Sequence, residues 1–275
     1  MTNNTLFTPE RFIPPILWDM YLGLRYGHVS FSGDYASWDD ARRAATGYEA
    51  AEILCRVRDS LLKVKRGEAI HEQDSILYDT VRYSWPLLAG LLWVASRSGN
   101  RLNLVDYGGS LGSSYYQNRT FLEHLDEVRW GIVEQPHFVA CGKEHFEDEQ
   151  LKFFLSLDHC RAEQGPTTIL LSSVLPYLEK PYDFLSEVIS QRFLYILIDR
   201  TPFLPWGGDR VTVQHVPSAI YPASYPAWFF NKEKFRSFFS PHYEIIAEFD
   251  SFESFSLGAL QTQNKGFILK RGRNF

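Results

Sequence analysis

From Leu102 to Asp199 the chain alternates short apolar runs with stretches of helical composition, and this alternation constrains its fold more than any other feature. Leu102 to Tyr107, Trp130 to Glu134, Leu151 to Phe154, Thr168 to Ser172 and Phe193 to Asp199 read as strands. The stretches 113–127, 137–147 and 178–191 between them have the length and pattern of helices. Strand, helix, strand in this order specifies a parallel sheet whose strands are covered on both faces. Gly165-Pro166 leaves the link 155–167 room for little more than a turn or two. The end of the chain differs: Asn231 to Phe239 reads as a helix, and Tyr243 to Phe249 and Gly266 to Lys270 read as strands joined by a long connection. An antiparallel hairpin closing a mostly parallel sheet fits that order.

The segment before residue 100 follows helical rules. Ser37 with Asp40 three residues on is a capping pattern, and Gly47 stands where a helix over about 38–46 would need a left-handed stop. From Ala50, Ile53, Leu54, Val57 and Leu61 fall on one helical face and Gly67 closes the run. Ser84 begins another helix, with Leu88, Leu91, Leu92 and Ala95 on one side and Gly99-Asn100 as its terminator. The expected organisation is therefore an N-terminal helical cover segment, 1–99, and an α/β domain, 100–275.

Charge and cysteine usage narrow the partners. With 28 Lys and Arg against 33 Asp and Glu, the formal charge is -5, so no global positive field exists to hold nucleic acid through its phosphates. Cys55, Cys141 and Cys160 form no Cys-x-x-Cys pair, which points away from a disulfide framework and a structural zinc site. The eight histidines show no metal-ligand spacing, so no metal is expected. Met1 to Phe12 lacks signal-peptide character, and the apolar run Leu87 to Ala95 falls short of the roughly 20 residues of a membrane span. A cytoplasmic protein without a membrane span is the expectation, and the Asn118-Arg119-Thr120 sequon is then a chance match.

The segment richest in chemistry is Asp106-Tyr107-Gly108-Gly109-Ser110-Leu111-Gly112, directly after the first parallel strand and before a helix. A ligand at the carboxyl end of such a strand needs close backbone approach, which Gly108, Gly109 and Gly112 permit. The dinucleotide fingerprint would need glycine at 108, 110 and 113, and Ser110 and Ser113 stand there instead, which weakens a nicotinamide-dependent oxidoreductase. Glu134 ends the second strand. A carboxylate there can accept from two hydroxyls at once. Gln135-Pro136 then turns the chain.

These residues resemble the first motifs of the class I S-adenosylmethionine-dependent methyltransferases, in which an acid closes the strand and glycines follow. Asp106, Gly108 and Gly112 match, and Ser110 replaces the central glycine. The resemblance implies a Rossmann-like methyltransferase fold and S-adenosylmethionine as cofactor. It also implies a cofactor site of Asp106, Tyr107, Gly108, Gly109, Ser110, Gly112, Glu134 and Gln135, with Glu134 holding the ribose hydroxyls. Asp158 after the third strand would lie near the adenine, and Ser172 after the fourth near the methionine portion.

A narrower likeness runs over residues 30 to 200. Gly33-Asp34-Tyr35-Ala36-Ser37-Trp38, Tyr115-Tyr116-Gln117, Val133-Glu134-Gln135-Pro136 and Ser172-Ser173-Val174-Leu175 with Tyr177 are similar to a bacterial methyltransferase family often encoded among surface-polysaccharide genes. That likeness implies an oxygen of a sugar or polysaccharide precursor as methyl acceptor. The alternative within the same fold is a cofactor-binding scaffold without turnover, a reading that Ser110 keeps open.

Transfer to oxygen calls for in-line approach and a group to take the hydroxyl proton, for which Asp199 and His215 are the candidates. Amino methyltransferases of nucleic acid bases carry Asn or Asp, then Pro-Pro and an aromatic, where this chain has Ser172 to Leu175, so base methylation is disfavoured. Its 21 Phe, 15 Tyr and 7 Trp outnumber the 28 Lys and Arg. Many crowd between Phe203 and Phe239 together with Pro205, Pro217, Pro222 and Pro226. A rigid aromatic loop over the pocket is expected there, with Trp206, Tyr221, Tyr225 and Trp228 as a substrate wall on which a sugar ring could stack.

Overall fold

The computed structural model describes residues 29–273 apart from 48–49, 74, 79, 219, 221–222, 252–255 and 258–259. In chain order the elements up to residue 107 are β1 (Ser30–Tyr35), α1 (Trp38–Ala44), α2 (Ala50–Lys65), β2 (His71–Gln73), β3 (Ile76–Tyr78), α3 (Trp85–Arg97) and β4 (Arg101–Tyr107). There follow α4 (Ser113–Leu122), β5 (Glu127–Val133), α5 (Pro136–His145), β6 (Leu151–Phe154), α6 (Leu157–Gln164), β7 (Thr168–Ser172) and, after a 3-10 turn at Leu175–Tyr177, α7 (Pro181–Ser190). The last third holds β8 (Tyr195–Leu204), β9 (Arg210–Val216), β10 (Ala223–Asn231), α8 (Lys232–Phe239), β11 (Tyr243–Asp250), β12 (Ser256–Leu257), β13 (Leu260–Gln261) and β14 (Gln263–Arg271).

The central sheet runs β6-β5-β4-β7-β8-β14-β11. Strands β4 to β8 pair in parallel, while β14 is antiparallel to both β8 and β11. This is the expected α/β architecture, a mostly parallel Rossmann-like sheet closed by an antiparallel pair. Both faces are covered, which is why these strands are apolar runs rather than alternating ones. Leu102, Leu104, Trp130, Ile132 and Leu170 face one core with Val57, Leu61, Leu87 and Leu91 of α2 and α3. Val105, Ile169, Leu171 and Ile198 face the other with Leu185 and Val188 of α7. Order in the sheet reverses between β4, which goes on to β5, and β7, so a crevice opens at the carboxyl ends of β4 and β7.

Helix signals held where the cap chemistry was local. Ser37 accepts from the Asp40 amide at 3.2 Å and donates to its carboxylate at 2.6 Å. Gly47 is left-handed, at φ 77°, but lies beyond the helix and bridges Ser224 of β10 instead. The link between β6 and β7 forms two turns of helix, capped by Ser156 and ended by left-handed Gly165.

Two expectations need correction. Between Phe203 and Phe239 the chain does not form an aromatic loop. It completes β8, then makes β9 and β10, which pair antiparallel with each other, and β1 joins β9. Pro226 is tolerated in β10 because that strand meets β8 only through Phe230 and Asn231, leaving the edge unpaired below. Likewise, the segment before residue 100 carries strands β1, β2 and β3 besides its helices. For β1, β9 and β10 the cause is β8, which is twice as long as β7, whereas β2 and β3 pair only with each other. The first half of β8 pairs with β7 as far as Ser172↔Asp199, and its tip pairs with β10 at Phe203 and Leu204. A second small sheet therefore starts where β7 stops, beside the carboxyl edge.

Candidate functional site

The glycine loop begins on the last residues of β4. Gly108 has φ 72°, and a Cβ there would lie 2.5 Å from Val174 Cγ2. A Cβ on Gly109 would lie 2.6 Å from the Asp106 carboxyl. Neither position admits a side chain without displacing its neighbour. Ser110 takes the left-handed conformation, φ 55°, so it adopts the backbone that a glycine would supply. The hydroxymethyl group has replaced the hydrogen without changing the turn, at a cost of about 1–2 kcal/mol.

Glu134 closes the crevice from the end of β5. Its Oε1 accepts from the Ser110 amide at 3.3 Å and its Oε2 from the Gln135 amide at 2.7 Å. One oxygen thus ties the loop after β4 to the end of β5, and the other fixes the turn that follows. Each oxygen has a second lone pair, so the group can still accept from two further hydroxyls. Burial pushes its pKa up, against the two amides, which lower it. Asp106 sits deeper, 1% exposed, and accepts from the Trp130 indole at 3.2 Å. Burial, with a smaller push from Glu134, raises its pKa to about 7. Asp106 therefore lies beneath the loop, tied to β5 through Trp130, with its Oδ1 buried and without a hydrogen-bond partner. Tyr107 stacks its ring on Phe184 of α7, 4.4 Å between centroids.

A narrow cleft continues from the loop toward β7 and β8, lined by His71, Glu72, Ser113, Ser172, Asp199 and Arg200 among others. Ser172 and Asp199 are register partners at the ends of their strands. Asp199 is 1% exposed. Its Oδ1 accepts from Ser251 Oγ at 2.7 Å and from the Arg200 amide at 2.9 Å, while its Oδ2 is buried with no hydrogen-bond partner. Opposite the sheet, the β2–β3 hairpin brings in Glu72, 2% exposed. Its carboxylate accepts from Ser113 Oγ at 2.5 Å and from the Ser75 amide at 2.7 Å. Four non-glycine residues with positive φ, Ser75, Ser110, Ser173 and Arg200, stand on these same segments. Such strain collects where surrounding structure holds a site in shape.

The remaining candidates lie elsewhere. Gln135 is exposed at the start of α5. Asp158, exposed in the first turn of α6, accepts from Gln191 beyond the end of α7 at 3.5 Å. His215 is exposed on β9, its Nε2 2.8 Å from Ser32 Oγ of β1, and is not on the cleft. Trp206 is 67% exposed in the β8–β9 turn. Tyr225 meets Gln214 at 3.2 Å, and Gln214 in turn accepts from Tyr177 at 2.9 Å. Trp228 donates to the Leu178 carbonyl at 3.0 Å and stacks on Trp38 of α1 at 6.2 Å. Tyr221 lies outside the described residues. The three described aromatics are thus spread over a turn and the strand β10 rather than gathered in one loop. Among the described residues, no group of three or more His, Cys, Asp or Glu is placed to hold a metal, and no helix is long and apolar enough to cross a membrane.

No protein-family model and no curated protein matches the chain. Solved structures do resemble it at low identity. Magnesium protoporphyrin IX methyltransferase from Synechocystis with bound SAM is 12% identical over 68% of this chain and 79% of its own, with a TM-score of 0.44. The N-terminal domain of EvdMO1, in the presence of SAH and D-fucose, is 13% identical over 82% of this chain and 98% of its own, at 0.47. A pericyclic reaction enzyme is 12% identical over 68% of this chain and 47% of its own, at 0.45. The strand order and the site geometry, not these likenesses, carry the reading of this protein.

Glu72 is the site residue that sequence reasoning missed. It lies in a three-residue strand without periodicity, and its tie to Ser113 spans 41 positions. The only sequence signal was one acid among several, with Glu68 and Asp74 close by, in a polar stretch before an apolar helix.

Proposed function

We propose that the protein is an S-adenosylmethionine-dependent methyltransferase acting on an oxygen of a sugar or polysaccharide precursor. The observation that carries the cofactor is the Glu134 carboxylate bonded to the Ser110 amide across the crevice at the strand-order reversal. That arrangement offers a hydroxyl acceptor beside a backbone stripped of Cβ atoms, which suits a nucleoside whose ribose meets Glu134 and whose remaining length runs along Gly108 to Gly112. The loop geometry of Ser110 supports a working site rather than a decayed one. When bound, the cofactor supplies an electrophilic methyl group on a sulfonium.

The residues of this chain then have distinct tasks. Glu134 and the loop bind and orient, Asp106 ties β4 to β5 beneath the loop, and Ser172 with the cleft shapes the side from which an acceptor approaches. In-line positioning is the main contribution to rate that such a site makes. Of the two groups expected to take a proton, only Asp199 stands on the cleft. The saccharide acceptor is supported by the motif resemblance over residues 30 to 200 and by partly exposed rings such as Trp228 beside the carboxyl edge. The segment before residue 100 serves as a cover, because its hairpin is pinned to the first turn of α4 through Glu72 and Ser113.

Calorimetric titration of S-adenosylmethionine and S-adenosylhomocysteine tests the cofactor. Micromolar binding that weakens about tenfold or more in Glu134→Ala is the expected result, as for loss of charge-assisted hydrogen bonds. No binding, or binding untouched by the substitution, overturns the assignment. Methyl transfer from labelled cofactor to a panel of sugars, compared with protein and base acceptors, tests the acceptor class.

A further inference from the structure

A second and larger hollow, about 440 Å³, opens where the residues leading into α7 meet the β8–β9 turn, β10 and the start of α8. Its volume is in the range of small-ligand sites, and it shares no lining residue with the cleft of Glu72 and Asp199. The turn after β7 touches both regions. Val174 packs where a Gly108 side chain would lie, and the Leu178 carbonyl accepts from the Trp228 indole at 3.0 Å. At the centre of the hollow is Asp209, its side chain 8% exposed. Its Oδ1 accepts from the Asn231 amide at 2.6 Å and from the Tyr182 hydroxyl at 3.4 Å, and its Oδ2 accepts from Lys234 Nζ at 2.5 Å. The Lys234 ammonium also stands 4.3 Å from the centre of the Tyr182 ring. Trp228 is half-buried with its N–H already engaged, so it offers the hollow only ring surface.

Charge and shape together select the ligand. Lys180 and Lys234 face three carboxylates, Glu179, Asp183 and Asp209, so the lining carries no positive excess to hold a phosphate or sulfate. A wholly apolar ligand would strip water from these groups and give nothing back. Hydroxyls accept from ammonium groups and donate to carboxylates, and a sugar ring carries them around its rim with a C–H face free to lie on an aromatic one. We propose that the hollow binds a neutral saccharide unit, laid on Trp228 and bonded to the Asp209–Lys234 pair, with Lys180 at the rim. This binding stands apart from the cofactor. Its role rests on the acceptor reading above: the unit that receives the methyl group sits in the crevice, and the hollow holds a further unit of the same chain, so the acceptor is an oligosaccharide rather than a free sugar.

Saturation-transfer NMR on the full chain, with mono-, di- and trisaccharides of glucose, galactose, mannose and N-acetylglucosamine as probes, tests the site. At least one of them should bind at millimolar strength or tighter without any cofactor present. Trp228→Ala should weaken that binding about tenfold and Lys180→Ala about threefold, as for loss of an aromatic anchor and of one charged hydrogen bond. Glu134→Ala should leave it within about twofold. If circular dichroism shows that Trp228→Ala does not fold, Lys180→Ala and Lys234→Ala decide, since both lysines are exposed. No binding of any of these sugars, binding that the Trp228 and lysine variants leave unchanged, or tighter binding of glucose 6-phosphate than of glucose overturns the proposal. In methyl transfer, Trp228→Ala should raise KM for a trisaccharide about tenfold and leave KM for the free monosaccharide unchanged; equal rises overturn the oligosaccharide role. S-adenosylhomocysteine binding without any saccharide binding sinks the hollow alone, and saccharide binding without S-adenosylhomocysteine binding sinks the cofactor reading alone.

Discussion

The parallel sheet β4–β8 and the small sheet β1–β9–β10 meet on one strand, yet they are built on different rules. In the parallel sheet, β7 is buried along four of its five residues and β4 and β5 are apolar toward both faces. In the small sheet, one face of β10 and β9 meets Tyr177 through Gln214 and Tyr225, and the other is covered by α1, with Ala41, Val211 and Val213 in contact. The first buries mostly hydrocarbon and holds its acids Asp106 and Glu134 toward the carboxyl ends of β4 and β5, and Asp199 where β8 stops pairing with β7. The second interleaves amides, hydroxyls and indoles with its core. Binding groups in the first region are consequently held by backbone and by deep packing, whereas those in the second are held by side-chain networks that a change of sequence can retune.

The joint between the two regions offers the largest test. Phe203 is fully buried where β8 passes from one sheet to the other, with Phe230, Phe235 and Phe267 rings at 6.2, 5.1 and 5.7 Å. Phe203→Ala should cost about 3–5 kcal/mol, the range for truncating a buried ring. Urea unfolding followed by both tryptophan fluorescence and far-UV circular dichroism should keep a single transition; two separated transitions would show that the sheets are independent units.

Asp106 tests the deep packing of the parallel sheet through pH. Its folded pKa of about 7 lies above the unfolded value of about 4, so the folded protein keeps a proton that the unfolded chain gives up. The resulting stabilisation is complete below pH ~4 and is lost as pH rises through ~7. Asp106→Asn should therefore gain on wild type across that window, reaching about 2–4 kcal/mol above pH 8. Urea midpoints at pH 5, 6.5 and 8 would reveal it, and parallel curves for the two proteins would contradict it.

A smaller effect is expected in the second sheet. Gln214→Leu takes one hydrogen-bond partner each from Tyr177 and Tyr225 and should cost about 1–2 kcal/mol. Hydrogen exchange ought to quicken in β9 and β10 with β4 and β5 unchanged; uniform quickening would erase the distinction between the regions. Smallest is Ser110→Gly, which relieves a left-handed serine and should stabilise by about 0.5–1 kcal/mol, after the entropy cost of glycine. S-adenosylhomocysteine affinity should stay within about twofold, because the backbone turn is the same.

The sheet was legible because its signals are local and redundant. Each parallel strand is mostly apolar, the helices between them carry their own periodicity, and Gly165 ends the one between β6 and β7. The glycine loop was legible for a related reason. Gly108 and Gly109 are small because Val174 and Asp106 press on them, and a strand on one side and a helix on the other fix where the loop opens. Glu134 could be placed because it ends a strand. Tyr225 and Trp228 could not, because aromatic and proline content does not distinguish a loop from an edge strand that pairs at only two residues.

By itself the sequence determined the strands β4 to β8, their parallel character and the loop at the carboxyl end of β4, since apolar period, caps and glycines act through neighbours along the chain. Only the tertiary structure decided that β8 would outrun β7 and carry a second sheet, that His215 on β9 would meet Ser32 of β1, and that Glu72 would meet Ser113 beside Asp199. Those outcomes depend on which distant segments share a surface, and contacts of that range leave no periodic trace in the residues that make them.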